Sequence, residues 1–103
     1  MVNRAETQFA SDHVAAAGHF PGNPIIPGAV VLDETLHAIA AKTDRPFTPC
    51  KIRAVKFLHP VRPGDRMLIY WSTGEDGATQ FRCESQDRVV LIGTMSPGEE
   101  QNL

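Results

Sequence analysis

The chain has 103 residues, with 10 Lys and Arg against 12 Asp and Glu and a net charge of −2, which suits one small domain and offers nucleic acid no overall basic field. No apolar run approaches the ~18 residues of a membrane span. Cys50 and Cys83 stand far apart, with no CxxC and no histidine at metal-ligand spacing, so two reduced thiols are expected and no metal.

The opening stretch MVNRAETQFASDH lacks the apolar core of a secretion signal, and the expected location is the cytoplasm. Residues 1–5 read as frayed, Glu6–Ala10 as a short strand anchored by Phe9, and Ser11-Asp12-His13 as a turn. Val14–Ala17 fits a helical turn or an extended link. A loop from His19 to Gly28 follows, with three prolines and two glycines. Proline fixes φ and glycine frees it, so such a loop is stiff and aims its amides in set directions. Ala29–Ala41 holds good helix formers and no Gly or Pro, predicting a helix that starts near Gly28 and ends near Lys42-Thr43, where Asp44-Arg45-Pro46 breaks it.

Lys51–Leu58 reads as a strand ended by Pro60, and Arg62-Pro63-Gly64-Asp65 as a turn. Met67–Ser72 is apolar on both faces, as in a central strand. Gly74-Glu75-Asp76-Gly77 makes a hairpin turn. Thr79, Phe81 and Cys83 alternate with Gln80, Arg82 and Glu84, the period of a half-buried strand. Gln86-Asp87 turns the chain, Arg88–Met95 returns as the last strand, and a polar tail begins at Ser96. One strand, one apolar helix and four strands joined by short turns make an α+β layout in a single domain, residues 1–103.

The stiff loop gathers chemistry. His19 stands at its front, Gly28 lies where a helix start leaves backbone N–H groups unpaired, and Asp33 follows about one turn into the helix. Histidine suits a general base because its ordinary pKa near ~6.5 leaves it mostly neutral at pH 7. A loop histidine capping a turn, and an acid drawn to the helix dipole, are the structural alternatives.

The string HFPGNPIIPGAVVLDETLHAI resembles the signature of the β-hydroxyacyl-[acyl-carrier-protein] dehydratases of the hotdog fold, in which an acid follows the histidine by fourteen positions, as Asp33 follows His19 here. The stretch KFLHPVRPGD, residues 56–65, resembles the family's later F-x-x-P-V-x-P-G-D motif. Three departures stand out. The family's carrier-protein dehydratases of the longer type usually have Glu at the acid position, and Asp is more typical of the branch that also isomerises the double bond. His37 replaces a frequent glutamine four residues on. The chain is also shorter than usual members, so elements that shape their acyl tunnels are expected to be missing.

The resemblance implies a hotdog, with the sheet wrapped around the helix, that dehydrates a 3-hydroxyacyl thioester to the trans-2-enoyl product. His19 would be the base, Asp33 the acid and the Gly28 N–H the donor to the thioester oxygen, with His37 supporting Asp33. Glu34 competes as the acid, but a helix turns ~100° per residue, so only one of the pair can face His19, and the motif register selects Asp33. Burial among Val30, Val31, Leu32 and Leu36 is expected to raise the Asp33 pKa. Phe20, Pro21, Gly22, Ile25, Ile26, Pro27 and Val31 would line the acyl pocket, though core packing explains the apolar ones as well. His13 and His59 read as structural.

Lys51, Arg53, Lys56 and Arg62 are candidates for docking an acidic acyl-carrier protein, or form a solvated strand face. No cofactor is implied, because phosphopantetheine arrives with the carrier protein or coenzyme A. A domain of this size buries only about two-thirds of its unfolded surface, so covering so apolar a helix calls for a homodimer or an assembly of dimers. In the family the histidine and the acid of one site usually come from different subunits. The rivals are a thioesterase or dehydratase-isomerase of the same fold, and a non-catalytic subunit that binds acyl chains or a carrier.

Overall fold

The computed structural model describes residues 2–12, 24–43 and 50–97. The elements are β1 (Asn3–Gln8), α1 (Gly28–Thr43), β2 (Cys50–Phe57), β3 (Arg66–Thr73), β4 (Thr79–Ser85) and β5 (Arg88–Pro97). The strands form one antiparallel sheet in the order β1-β3-β4-β5-β2. The α+β arrangement, one helix against an antiparallel sheet, is that of the hotdog expectation. Among the described residues no helix is long and apolar enough to cross a membrane.

Local chemistry explains the hairpins. Between β3 and β4 the Ala78 N–H donates to Asp76 Oδ1 at 3.0 Å, and the Gly77 N–H to the Gly74 carbonyl at 3.0 Å. Between β4 and β5 the two residues Gln86 and Asp87 both take positive φ, 55° and 60°. That is the two-residue turn whose twist matches the flanking strands, here adopted without glycine.

Alternation decides which side of the sheet meets the helix. Ala5, Met67, Ile69, Trp71, Phe81, Cys83 and Leu91 are buried on one face. Against them α1 sets the stripe Val31, Thr35 and Ile39, four residues apart. Thr35 is polar and fully buried, and its hydroxyl donates to the Val31 carbonyl at 2.8 Å and lies 3.3 Å from Cys83 Sγ. A buried hydroxyl is tolerable because that bond satisfies it. Burial pushes the Cys83 thiol up from 9.0 to about 11, the Thr35 hydrogen bond pulling the other way. Gly93 faces Phe81, and a Cβ there would run into the Phe81 ring and stand 2.9 Å from the Ala54 carbonyl.

Several expectations shift. Residues 3–5 are not frayed, because β1 begins at Asn3 and pairs with β3 from Asn3↔Trp71 onward. Phe9 is buried, but it lies just past the strand, where its N–H donates to the Asp65 carbonyl at 3.0 Å. β3 is interior as expected, yet Leu68, Tyr70 and Ser72 are only half-buried, since α1 covers one face alone. β5 runs two residues further than Met95, so Ser96 and Pro97 belong to the sheet rather than to a tail. The readings of His13, Val14–Ala17, His19, Phe20, Pro21, Gly22 and Asp44-Arg45-Pro46 lie outside the described residues.

Candidate functional site

The end of the proline-rich loop is pinned before the helix begins. The Ile26 N–H donates to the Val61 carbonyl at 2.7 Å, and the two residues pair as an isolated antiparallel bridge. Both are 2% exposed, so this short contact ties the helix entry to the segment after β2. Pro27 then acts as the cap residue, its carbonyl accepting from Val30 N–H at 2.9 Å and Val31 N–H at 3.1 Å. Gly28 is therefore the first helical residue, and helix geometry gives its N–H and that of Ala29 no intrahelical acceptor. About half a unit of positive charge gathers there from the aligned peptide dipoles.

Phe57, at the end of β2, lies over this start. A Cβ on Gly28 would stand 2.9 Å from Phe57 Cε1 and 3.1 Å from Cδ1 and Cζ, so only glycine admits the ring as placed. Yet Phe57 is 53% exposed, and the adjacent Leu58 is 40% exposed. Sequence reading placed Phe57 on a strand and gave it no part in the site; its position in the KFLHPVRPGD motif was the available signal.

Asp33 and His37 share a helical face as their four-residue spacing requires. His37 Nδ1 lies 2.8 Å from the Asp33 carbonyl and 3.3 Å from Asp33 Oδ1. One ring N–H can thus hold both the backbone and the carboxylate of Asp33. The Asp33 side chain is 66% exposed, however, so the expected burial is not supplied within this chain. The reason is angular: Asp33 lies ~200° around the helix from Val31, which faces the sheet. Val31 and Leu32 pack toward the core, Val30 and Leu36 are half-buried and leave the carboxylate open, and Glu34 is half-buried on the flank.

The remaining assigned residues separate. Ile26 and Val31 fill the core, while Ile25 and Pro27 are half-buried. Lys51 and Lys56 are exposed on β2, where Arg53 Nε donates to Ser96 Oγ at 2.9 Å. Arg62 lies in the turn beyond, its N–H donating to Asp65 Oδ2 at 3.0 Å. His59 is exposed. Among the described residues no three His, Cys, Asp or Glu side chains converge as metal ligands would.

Comparison with known proteins places this arrangement. A family described as "ApeI-like: ApeI dehydratase" matches residues 3–94. The 3-hydroxyacyl-[acyl-carrier-protein] dehydratase FabZ of Brucella melitensis biotype 2 is 44% identical over 61 residues, covering 52% of this chain and 39% of that protein. FabZ of Blochmanniella pennsylvanica is 38% identical over 61 residues, covering 50% of this chain and 40% of its own length. This chain therefore spans about two-fifths of the curated relatives it matches. Among solved structures, the dehydratase heterocomplex ApeI:P from Xenorhabdus doucetiae superposes with a TM-score of 0.76 at 25% identity, over 95% of this chain and 88% of that one.

Proposed function

The chain belongs to the ApeI-like dehydratase family, and from that premise we propose that it removes water from a 3-hydroxyacyl thioester to give the trans-2-enoyl thioester. The observation that carries the proposal is Gly28 as first residue of α1 with Asp33 five residues on, inside the family-matched segment. In this reading His19 takes the C2 proton and that electron pair becomes the C2=C3 bond. The C3–O bond breaks as Asp33 gives its proton to the departing hydroxyl, and water leaves. The charge that gathers on the thioester oxygen meets the Gly28 N–H, a donor typically worth ~3 kcal/mol. Proton exchange with solvent then resets the histidine and the carboxyl.

As the acid Asp33 would need cover from water, and its side chain is 66% exposed within this chain. Cover by a second chain would supply the desolvation, and the exposed Ile52, Phe57 and Leu58 offer an apolar surface for it. A second copy of the chain would provide that cover. The acyl chain would pass along Phe20, Ile25 and the loop, and Lys51, Arg53, Lys56 and Arg62 would meet an acidic carrier in the cytoplasm. Pantetheine comes with the substrate, and no metal or redox cofactor takes part.

One observation favours the rival of a subunit without activity of its own: the Xenorhabdus relative is a heterocomplex, and Asp33 stands uncovered here. Turnover of 3-hydroxyacyl thioesters on carrier protein and on coenzyme A separates the readings. The purified chain is expected to release the enoyl product, and His19→Ala to lower the rate by roughly 10²–10⁴ while the thermal melt stays unchanged. Activity that appears only when a different chain is added supports the subunit reading, and full activity of His19→Ala removes the base.

A further inference from the structure

The face of the sheet turned away from α1 carries a charge pattern that extends beyond Lys51, Arg53 and Lys56, the cations proposed to meet the carrier. Side chains alternating with the core residues point there. Arg4, Lys51, Arg53, Lys56, Arg66 and Arg82 lie on it by register, six of the ten cations of the chain. Among the described residues only two carboxylates, Glu6 and Glu84, do so. Glu6 sits 3.2 Å from Arg66, and Glu84 lies 3.6 Å from Arg82. A net acidic chain thus presents one distinctly basic surface.

The pattern is ordered as well as basic. Arg4 stands opposite Tyr70, Tyr70 opposite Arg82, Arg82 opposite Ile92, and Ile92 opposite Lys56, one residue from each strand. Successive cations in this row are two strands apart, ~10 Å. The Arg82 guanidinium is held over the Tyr70 ring, 5.2 Å from its centroid, and Ile92 is 38% exposed. Tyr70, Arg82, Ile92 and Lys56 line an open groove of about 710 Å³, flanked by Gln80 and Thr94.

We propose that this groove docks an acidic amphipathic helix of a protein partner, laid along the row. A helix rises ~1.5 Å per residue, so carboxylates seven residues apart are ~10.5 Å apart and match the cations. Apolar side chains midway between them meet Tyr70 and Ile92, the helix-in-groove mode. A second copy of this face would bring like charges together, and α1 itself carries only the adjacent Asp33 and Glu34. Lys56 also belongs to the carrier contact, whereas Arg4 and Arg82 do not, and α1 with Gly28 and Asp33 packs on the opposite face, so variants at Arg4 and Arg82 test the row separately from the reaction.

The test is fluorescence anisotropy with a labelled, stapled helical peptide of about three heptads, glutamates seven residues apart and leucines between them. The control has the same composition with its glutamates scattered around the helix. The patterned peptide is expected to bind, to lose about tenfold in affinity against Arg4→Glu/Arg82→Glu, and to weaken as salt rises from about 50 to about 500 mM. If the double variant melts early, Arg82→Gln takes its place, with a smaller loss in the same direction. Equal binding of the scattered peptide, unchanged affinity in the variants or no binding by the native chain would overturn the proposal. Capture by phosphatidylglycerol vesicles without peptide binding would overturn it too, and make the face a membrane surface.

Discussion

Gly28→Ala isolates the helix start, because the three atoms nearest the methyl it adds all belong to the Phe57 ring. That methyl would meet the Phe57 ring at 2.9–3.1 Å, well inside the ~3.5–4.0 Å at which carbon atoms rest. The ring is 53% exposed and is free to swing by the needed few tenths of an ångström. Alanine also favours a helix over glycine by up to ~1 kcal/mol, which offsets the disturbance. Unfolding stability should therefore stay within about 1 kcal/mol of the native value in a urea titration. Turnover should not: the displaced ring and the methyl crowd the approach to the Gly28 N–H, and loss of one such donor costs roughly 10²-fold in kcat. Phe57→Ala combined with Gly28→Ala removes the clash, so partial recovery in the double variant assigns the loss to the ring, and no recovery assigns it to the methyl. Native turnover in Gly28→Ala would refute this N–H as the oxyanion donor. A stability loss beyond about 2 kcal/mol would refute the claim that the ring yields.

Asp33→Asn is expected to lower turnover by roughly 10²-fold or more and Glu34→Gln to leave it near native, since the two side chains leave the helix ~100° apart; a rate assay showing the reverse ranking would make Glu34 the acid. Cys83 keeps its proton in the fold up to about 11 and releases it from 9.0 in the unfolded chain. The stability it contributes is therefore full below pH 9 and falls between pH 9 and 11, by about 3 kcal/mol in all, and denaturant titrations across that window should show a decline that Cys83→Ala lacks. Sedimentation should find at least a dimer at micromolar concentration, with specific activity falling on dilution as the chains separate; a fully active monomer would remove the shared site.

How far the sequence carried is clearest at particular residues. The helix start at Gly28 was legible because proline and glycine act locally, through φ and through a missing donor. The alternation of Thr79, Phe81 and Cys83 needed only the two-residue period of a strand, and all three are buried. Asp33 was legible as an acid at motif spacing, but its exposure was not, because which side of the helix the sheet covers is set by tertiary packing and Asp33 falls on the uncovered side. Phe57 was missed for a related reason, since its contact with Gly28 joins residues 29 positions apart.

The sequence by itself determined the element order, the turn positions, the helix start and the family motif, all set by interactions among residues a few positions apart. Only the tertiary structure decided which face of α1 meets the sheet, that Thr35 is buried against Cys83, and that Phe57 covers Gly28. It also aligned Arg4, Arg82 and Lys56 in one row. The row comes from strands far apart in the chain, in a register that side-chain burial on the other face selects. A slip of one residue in any strand would send its cation into the core, and the cost of burying that charge holds the row in place.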